Sequence, residues 1–125
     1  MEASGKFTIK MTPQPTRSSA PGMASFLLEK VFEGDIVGTG LGEMTSAGDP
    51  SKGSAGYIAM ERITGTLGGK TGSFALQHSA TMNAGAFDLR IVVAPGSGDG
   101  ELAGITGTFA LNPKDHSFVL TYDLG

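Results

Sequence analysis

The stretch Met23–Thr45, MASFLLEKVFEGDIVGTGLGEMT, decides the fold. Its opening part, Met23–Phe32, could form a short helix by propensity alone. Phe26, Leu28 and Phe32 share one strand parity, however, and Gly34, Gly38, Gly40 and Gly42 come close behind. A helix running into so many glycines is disfavoured, since each costs about 1 kcal/mol relative to alanine. The stretch therefore reads as two strands, Ala24–Glu33 and Asp35–Thr45, joined by a tight turn at Glu33-Gly34-Asp35. Glycine supplies the positive φ that such a hairpin turn needs.

The same pattern extends outward in both directions. Toward the N-terminus, Lys6–Met11 alternates Phe7, Ile9 and Met11 with Lys6, Thr8 and Lys10, the period of a half-buried strand. Thr12–Gly22 holds three prolines and reads as a loop. Toward the C-terminus, Ser46–Gly53 is a predicted loop with a turn at Asp49-Pro50. Strands are predicted over Gly56–Thr66, Thr71–Ser79 and Ala86–Ala94. Gly68-Gly69-Lys70 turns the chain between the first two, and Met82–Gly85 loops between the second and third. After a turn-rich loop at Pro95–Gly100, Glu101–Thr106 and Gly107–Asn112 are expected to pair about Thr106-Gly107. Asn112–Asp115 turns again and His116–Leu124 closes the chain. Eight or nine strands joined by hairpins make a meander, and closure removes the exposed edges of an open sheet. The predicted fold is all-β: a closed or nearly closed eight-stranded antiparallel meander barrel, one domain over residues 1–125.

Composition narrows the function classes. The 125 residues suit a single domain. No cysteine is present, which excludes disulfides, thiolate metal sites and cysteine nucleophiles. The net charge of −3 is scattered without a basic block, so no nucleic-acid partner is expected. No apolar run reaches membrane-spanning length, and no membrane association is expected. The opening MEASGKFTIKMTPQPT lacks the apolar core of a signal peptide, so the cytoplasm is the expected location. Glycine supplies 20 of the 125 residues, set between apolar runs of strand length, which fits a barrel rather than a linker.

Two motifs look like nucleotide or repeat signatures and are read as neither. Gly98–Ala103 matches G-x-G-x-x-A after an apolar strand, but the chain continues as Gly104-Ile105-Thr106-Gly107, not as a helix. The form G-x-T-G-[S/T]-F-A-L occurs at Gly69–Leu76 and again at Gly104–Leu111. Two copies are too few for a solenoid and read as two hairpins with the same turn requirement. No P-loop, G-x-S-x-G elbow, H-E-x-x-H or EF-hand loop occurs.

Parity then selects the candidate site. Phe74, Leu76 and His78 share a face, and so do His116, Phe118, Leu120 and Tyr122. The bland reading of either histidine is a hydrogen-bonded core or surface residue. Tyr57, Ala59, Glu61 and Ile63 share one face, while Ile58, Met60 and Arg62 take the other, so a Glu or an Arg must point inward. An inward Glu61 is expected to have a raised pKa and to act as acid or base near neutrality. The alternative is an outward Glu61 paired with a surface lysine. Asp88 and Arg90 are expected outside, because Phe87, Leu89, Ile91 and Val93 form the apolar row. Metal ligation by Glu61, His78 and His116 would draw on three strands and has no spacing signature, so neither metal nor cofactor is predicted.

An ordered set of motifs carries a resemblance. It runs Glu33-Gly34-Asp35-Ile36-x-Gly38, Tyr57-x-Ala59-x-Glu61-x-x-x-Gly65-x-Leu67-x-Gly69 and Gly72-Ser73-Phe74-x-Leu76-Gln77-His78. It ends with Val93-x-Pro95-Gly96-Ser97-Gly98-x-Gly100-Glu101-Leu102-x-Gly104-Ile105-x-Gly107 and Tyr122-x-Leu124. Together these resemble a bacterial family of small proteins of unknown function with the allene oxide cyclase-like barrel. The resemblance implies an eight-stranded antiparallel meander. Related barrels take apolar small molecules into the barrel mouth and steer cyclisation or coupling. No catalytic residue of those enzymes is carried over; Glu61, Gln77, His78 and Glu101 stand as candidates from the family motifs.

The leading expectation is a barrel that takes a small apolar molecule into its open end, either as a binding protein or as an isomerase- or cyclase-type enzyme. Glu61 and His78 are the candidate acid/base pair, with Tyr57, Gln77, Glu101, His116 and Tyr122 lining or orienting. Gln77 and His78 have opposite parity, so without a bulge only one faces inward. The competing expectation is a non-catalytic module with a solid core that forms a homo-oligomer through Met23–Phe32 and the six methionines.

Overall fold

The computed structural model describes Met1–Gly125 throughout. Nine strands run in order: β1 Glu2–Gln14, β2 Met23–Gly34, β3 Ile36–Asp49, β4 Ser54–Leu67, β5 Lys70–Asn83, β6 Ala86–Val93, β7 Asp99–Gly100, β8 Thr106–Leu111 and β9 Ser117–Asp123. Each long strand pairs antiparallel with the next, β6 pairs with β8, and β9 returns to β1. Eight strands therefore close as the predicted meander barrel, and β7 adds a two-residue bridge to β5. No helix is long and apolar enough to cross a membrane. Met23–Phe32 is strand, as the glycines after it imply.

Several boundaries differ from the sequence reading. β1 starts before Lys6 and ends after Met11, because Glu2–Lys6 pairs with β9 and its far half with β2 alone. The first half of the predicted loop Ser46–Gly53 is strand: β3 runs to Asp49, and Pro50–Lys52 forms a single 3-10 turn. β5 likewise runs to Asn83, leaving Ala84-Gly85 as the turn.

The larger correction concerns Glu101–Thr106, which is not a strand and has no turn at Thr106-Gly107. Its backbone closes short local bonds, with the N–H of Leu102, Ala103 and Ile105 donating to the carbonyls of Asp99, Gly100 and Leu102. Leu102 and Ile105, three residues apart, then point the same way and are each 1% exposed. Period three defeats the period-two pattern of a strand.

Those two side chains plug one end of the barrel. Ile36 and Leu67 complete the plug, and Phe74, Leu76, Phe109, Phe118 and Leu120 fill the space above it. The opposite end is built differently. β1 to β6 carry it, whereas β8 and β9 stop at the 112–116 turn. Inward side chains there, including Phe26, Met44, Tyr57 and Leu89, are only half-buried. The barrel thus has a closed end and an open end.

Both copies of G-x-T-G-[S/T]-F-A-L enter a strand of the closed end. Gly69 and Gly104 each turn the chain at φ +83°. Phe74 and Phe109 then enter the core.

Candidate functional site

Between the two ends lies a charged cluster. Glu61 on β4 projects inward with its side chain fully covered. Its Oε1 accepts a hydrogen bond from Lys30 Nζ at 2.9 Å and meets His78 Nε2 at 2.9 Å. The side chains of Lys30 and His78 are 3% and 5% exposed. Lys30 Nζ also sits 4.6 Å from the centroid of the Phe7 ring, a cation–π contact. Glu61 Oε2 is buried and has no partner.

The backbone explains how Lys30 on β2 reaches Glu61 on β4 across an intervening strand. The inward row of β3 is Gly38, Gly40 and Gly42, which face Phe32, Lys30 and Leu28 on one side and Gly65, Ile63 and Glu61 on the other. That row has no side chains, so the lysine passes over it. A Cβ on Gly40 would lie 3.1 Å from the Phe32 ring and 3.2 Å from Glu61 Oε2. At Gly42 it would collide with the Met60 carbonyl oxygen.

This cluster corrects the expected state of Glu61. Burial pushes its carboxyl up, but the His78 hydrogen bond and the Lys30 charge outweigh that and hold it below its ordinary value. Glu61 is ionised at neutral pH. Tyr57, on the same face of β4, has its phenol raised by burial and then by the Glu61 charge.

The other candidates divide by end. His116 is half-buried in the 112–116 turn at φ +57° and stacks on Phe7 with ring centroids 5.0 Å apart. Phe7 thus touches both His116 and Lys30, which joins His116 to the cluster at one remove. Gln77 faces out opposite Met60, while His78 faces in. Glu101 lies at the closed end, where its Oε1 accepts the Thr71 N–H at 3.0 Å. Tyr122 is there too, near Gly68. The structure brings Glu61 and His78 into contact, sets Tyr57 further along the same face of β4 within the field of Glu61, puts His116 at one remove, and leaves Gln77, Glu101 and Tyr122 apart. No three His, Cys, Asp or Glu side chains gather to hold a metal ion.

A groove of about 570 Å3 opens beside the open end, between the Gln14–Ser18 segment and side chains including Met23, Phe26 and Met44. A shallower hollow of about 420 Å3 lies on the outer wall, across Leu27, Leu41 and Met60.

The model of the family described as protein of unknown function (DUF3224) matches residues 3–124. The chain belongs to this family. A crystal structure of a DUF3224 protein of unknown function from Shewanella oneidensis MR-1 superposes with a TM-score of 0.90 at 38% identity. The alignment covers 98% of this chain and 96% of that one. No curated protein matches the chain. The resemblance drawn from the ordered motifs is thus borne out at the level of the family and its barrel.

Within this DUF3224 barrel, sequence reasoning missed Lys30. The signal was present: Lys30 stands in the row Phe26-Leu28-Lys30-Phe32, a lone charge on an apolar face. A second signal was Gly38-Gly40-Gly42, glycine at every second residue, which strips one face of a strand.

Proposed function

We propose that this barrel binds a small, largely apolar molecule at its open end, above the Lys30–Glu61–His78 cluster. One observation carries the reading: inward-facing Phe26, Met44, Tyr57 and Leu89 are partly exposed, whereas the plug of the closed end, Ile36, Leu67, Leu102 and Ile105, is sealed. A concave apolar mouth with a few polar groups at its base is the usual make-up of a small-molecule site. Pockets in related allene oxide cyclase-like barrels support the same reading by analogy. Glu61 is ionised and hydrogen-bonded, so in this reading it orients and polarises rather than donating a proton. An isomerisation or cyclisation at this site would rely on His78, with Glu61 behind it.

The test uses 8-anilinonaphthalene-1-sulfonate as a fluorescent probe. Saturable binding is expected, lost in Met44→Lys at the mouth and kept in Ile58→Lys on the outer wall. Absence of binding, or loss in the outer-wall variant alone, would overturn the proposal.

A second reading has its own observation. Leu41, Ile58 and Met60 are 59%, 64% and 49% exposed on the outer wall of β3 and β4. Neighbouring exposed apolar side chains of this kind mark contact surfaces. In this reading the chain self-associates through that wall. Light scattering should then show an oligomer that Leu41→Lys reduces to a monomer; a wild-type monomer at high concentration would dismiss it.

A further inference from the structure

We propose that the outer wall pairs two copies of this chain about a two-fold axis along the Leu41–Met60 diagonal, with Glu43 of each copy bonded to Arg62 of the other. This rests on the self-association reading above and gives it a geometry. Four outward side chains define the patch. Leu41 on β3 stands opposite Arg62 on β4, and Glu43, two residues on, stands opposite Met60. The apolar pair therefore occupies one diagonal of the patch and the charged pair the other.

Neither charge is committed within the chain. The ion pairs of the protein are those of Glu61 with Lys30 and His78, so Glu43 and Arg62 have no ionic partner. Glu43 is exposed. Arg62 is held in place: its Nη1 donates to Ser73 Oγ at 2.8 Å and to the Ser97 carbonyl at 3.2 Å, which leaves Nε and Nη2 free. A fixed guanidinium with open donors is ready for a carboxylate. The wall is hollowed at this place. The depression of about 420 Å3 is lined by Leu27, Leu41, Met60 and Ala75 together with Glu43 and Arg62.

A second copy matches all four corners. An apolar molecule in the hollow would leave both charges unmatched, and a carboxylate would meet Glu43 as well as Arg62. A two-fold axis along the apolar diagonal lays Leu41 on Leu41 and Met60 on Met60, and it exchanges the charged corners, so Glu43 meets Arg62 twice. An axis along or across the strands would set Leu41 against Arg62 or Glu43, and one along the charged diagonal would set like charge on like. The strands of the two walls then cross steeply, as in orthogonal sheet packing.

Sedimentation velocity on the full chain tests this. Wild type should dimerise, and Leu41→Lys should abolish the dimer. Glu43→Arg should weaken it about a hundredfold, because it brings like charges together twice. Arg62→Glu should do the same. Mixed in equal amounts, these two variants should form a heterodimer, since one chain then carries both cations and the other both anions. Arg62→Glu also gives up the bonds to Ser73 and Ser97, so circular dichroism checks its fold; if it does not fold, the salt response of wild type decides. Raising sodium chloride from about 0.05 M to about 0.5 M should loosen the wild-type dimer severalfold, whereas a purely apolar contact would hold. A dimer indifferent to Glu43→Arg and to salt, or folded variants that stay apart on mixing, would refute the charge pairing and leave self-association through the wall standing. A monomeric wild type, or a dimer that survives Leu41→Lys, would bring down the self-association reading, and this one with it.

Discussion

The closed and open ends of the barrel share one strand alternation and differ in what fills it. At the closed end every inward position meets a partner, and two extra side chains from a turn, Leu102 and Ile105, seal the bottom. At the open end β1 to β6 continue, but β8 and β9 have ended and the inward Phe26, Met44, Tyr57 and Leu89 are left partly exposed. The first arrangement holds the fold together. The second leaves apolar surface in contact with water, which folding alone does not favour. On the proposed binding reading, stability and binding are separated along the barrel axis, with the charged cluster at the boundary.

Mutations can sharpen or break this contrast. Phe74→Ala at the closed end should destabilise by about 3–5 kcal/mol, through lost burial and the cavity left behind. Urea denaturation checks it, and a loss under about 1 kcal/mol would mean the closed end is not the stabilising half. At the boundary, Lys30→Met should destabilise by about 3–5 kcal/mol, because it strands a buried carboxylate. Much of that should return in Lys30→Met/Glu61→Leu, since an apolar pair of similar volume has no charge to desolvate. A double variant no more stable than the single one would show that packing, not charge, sets the effect.

The pH dependence comes from the same pair. The folded Glu61 carboxyl titrates below its ordinary value of 4.5. Its contribution to stability is complete above that value and fades as pH falls through the folded pKa. Denaturation at a series of pH values should show the advantage of wild type over Glu61→Gln shrinking in acid. An advantage that grows in acid would reverse the sign. The smallest effect is expected at the open end: Met44→Ala should cost about 1 kcal/mol or less, since this side chain is already partly wet. A larger loss would mean the mouth is packed in solution.

The fold was legible because alternation is local. Phe7-Ile9-Met11 and Phe74-Leu76-His78 declare their inward faces without reference to any other strand. The same alternation put His78 on an apolar face and left either Glu61 or Arg62 to point inward. It did not supply the charge state of Glu61, which depends on Lys30 lying opposite Gly40 in one register and Gly40 opposite Ile63 in another. That is a three-strand relation, and parity within one strand carries no register. The plug failed for a different reason: Leu102 and Ile105 are spaced for a turn, and glycines on both sides made a hairpin look equally good.

The bare row of β3 has one more consequence. Its inward face holds glycine, while Val37 and Leu41, each 59% exposed, point to solvent. Over this glycine stretch the hydrophobic pattern is inverted: a slip of one residue would turn Val37 and Leu41 inward, and Ile36 and Met44 outward. Two features oppose the slip. A Cβ in place of the glycine hydrogens would meet neighbouring backbone at Gly38 and Gly42, so larger residues do not fit that face. The Lys30–Glu61 bridge closes only where the strand beneath it is bare. An ion pair that adds little net stability when buried can thus act as a registration pin, selecting one alignment of three strands.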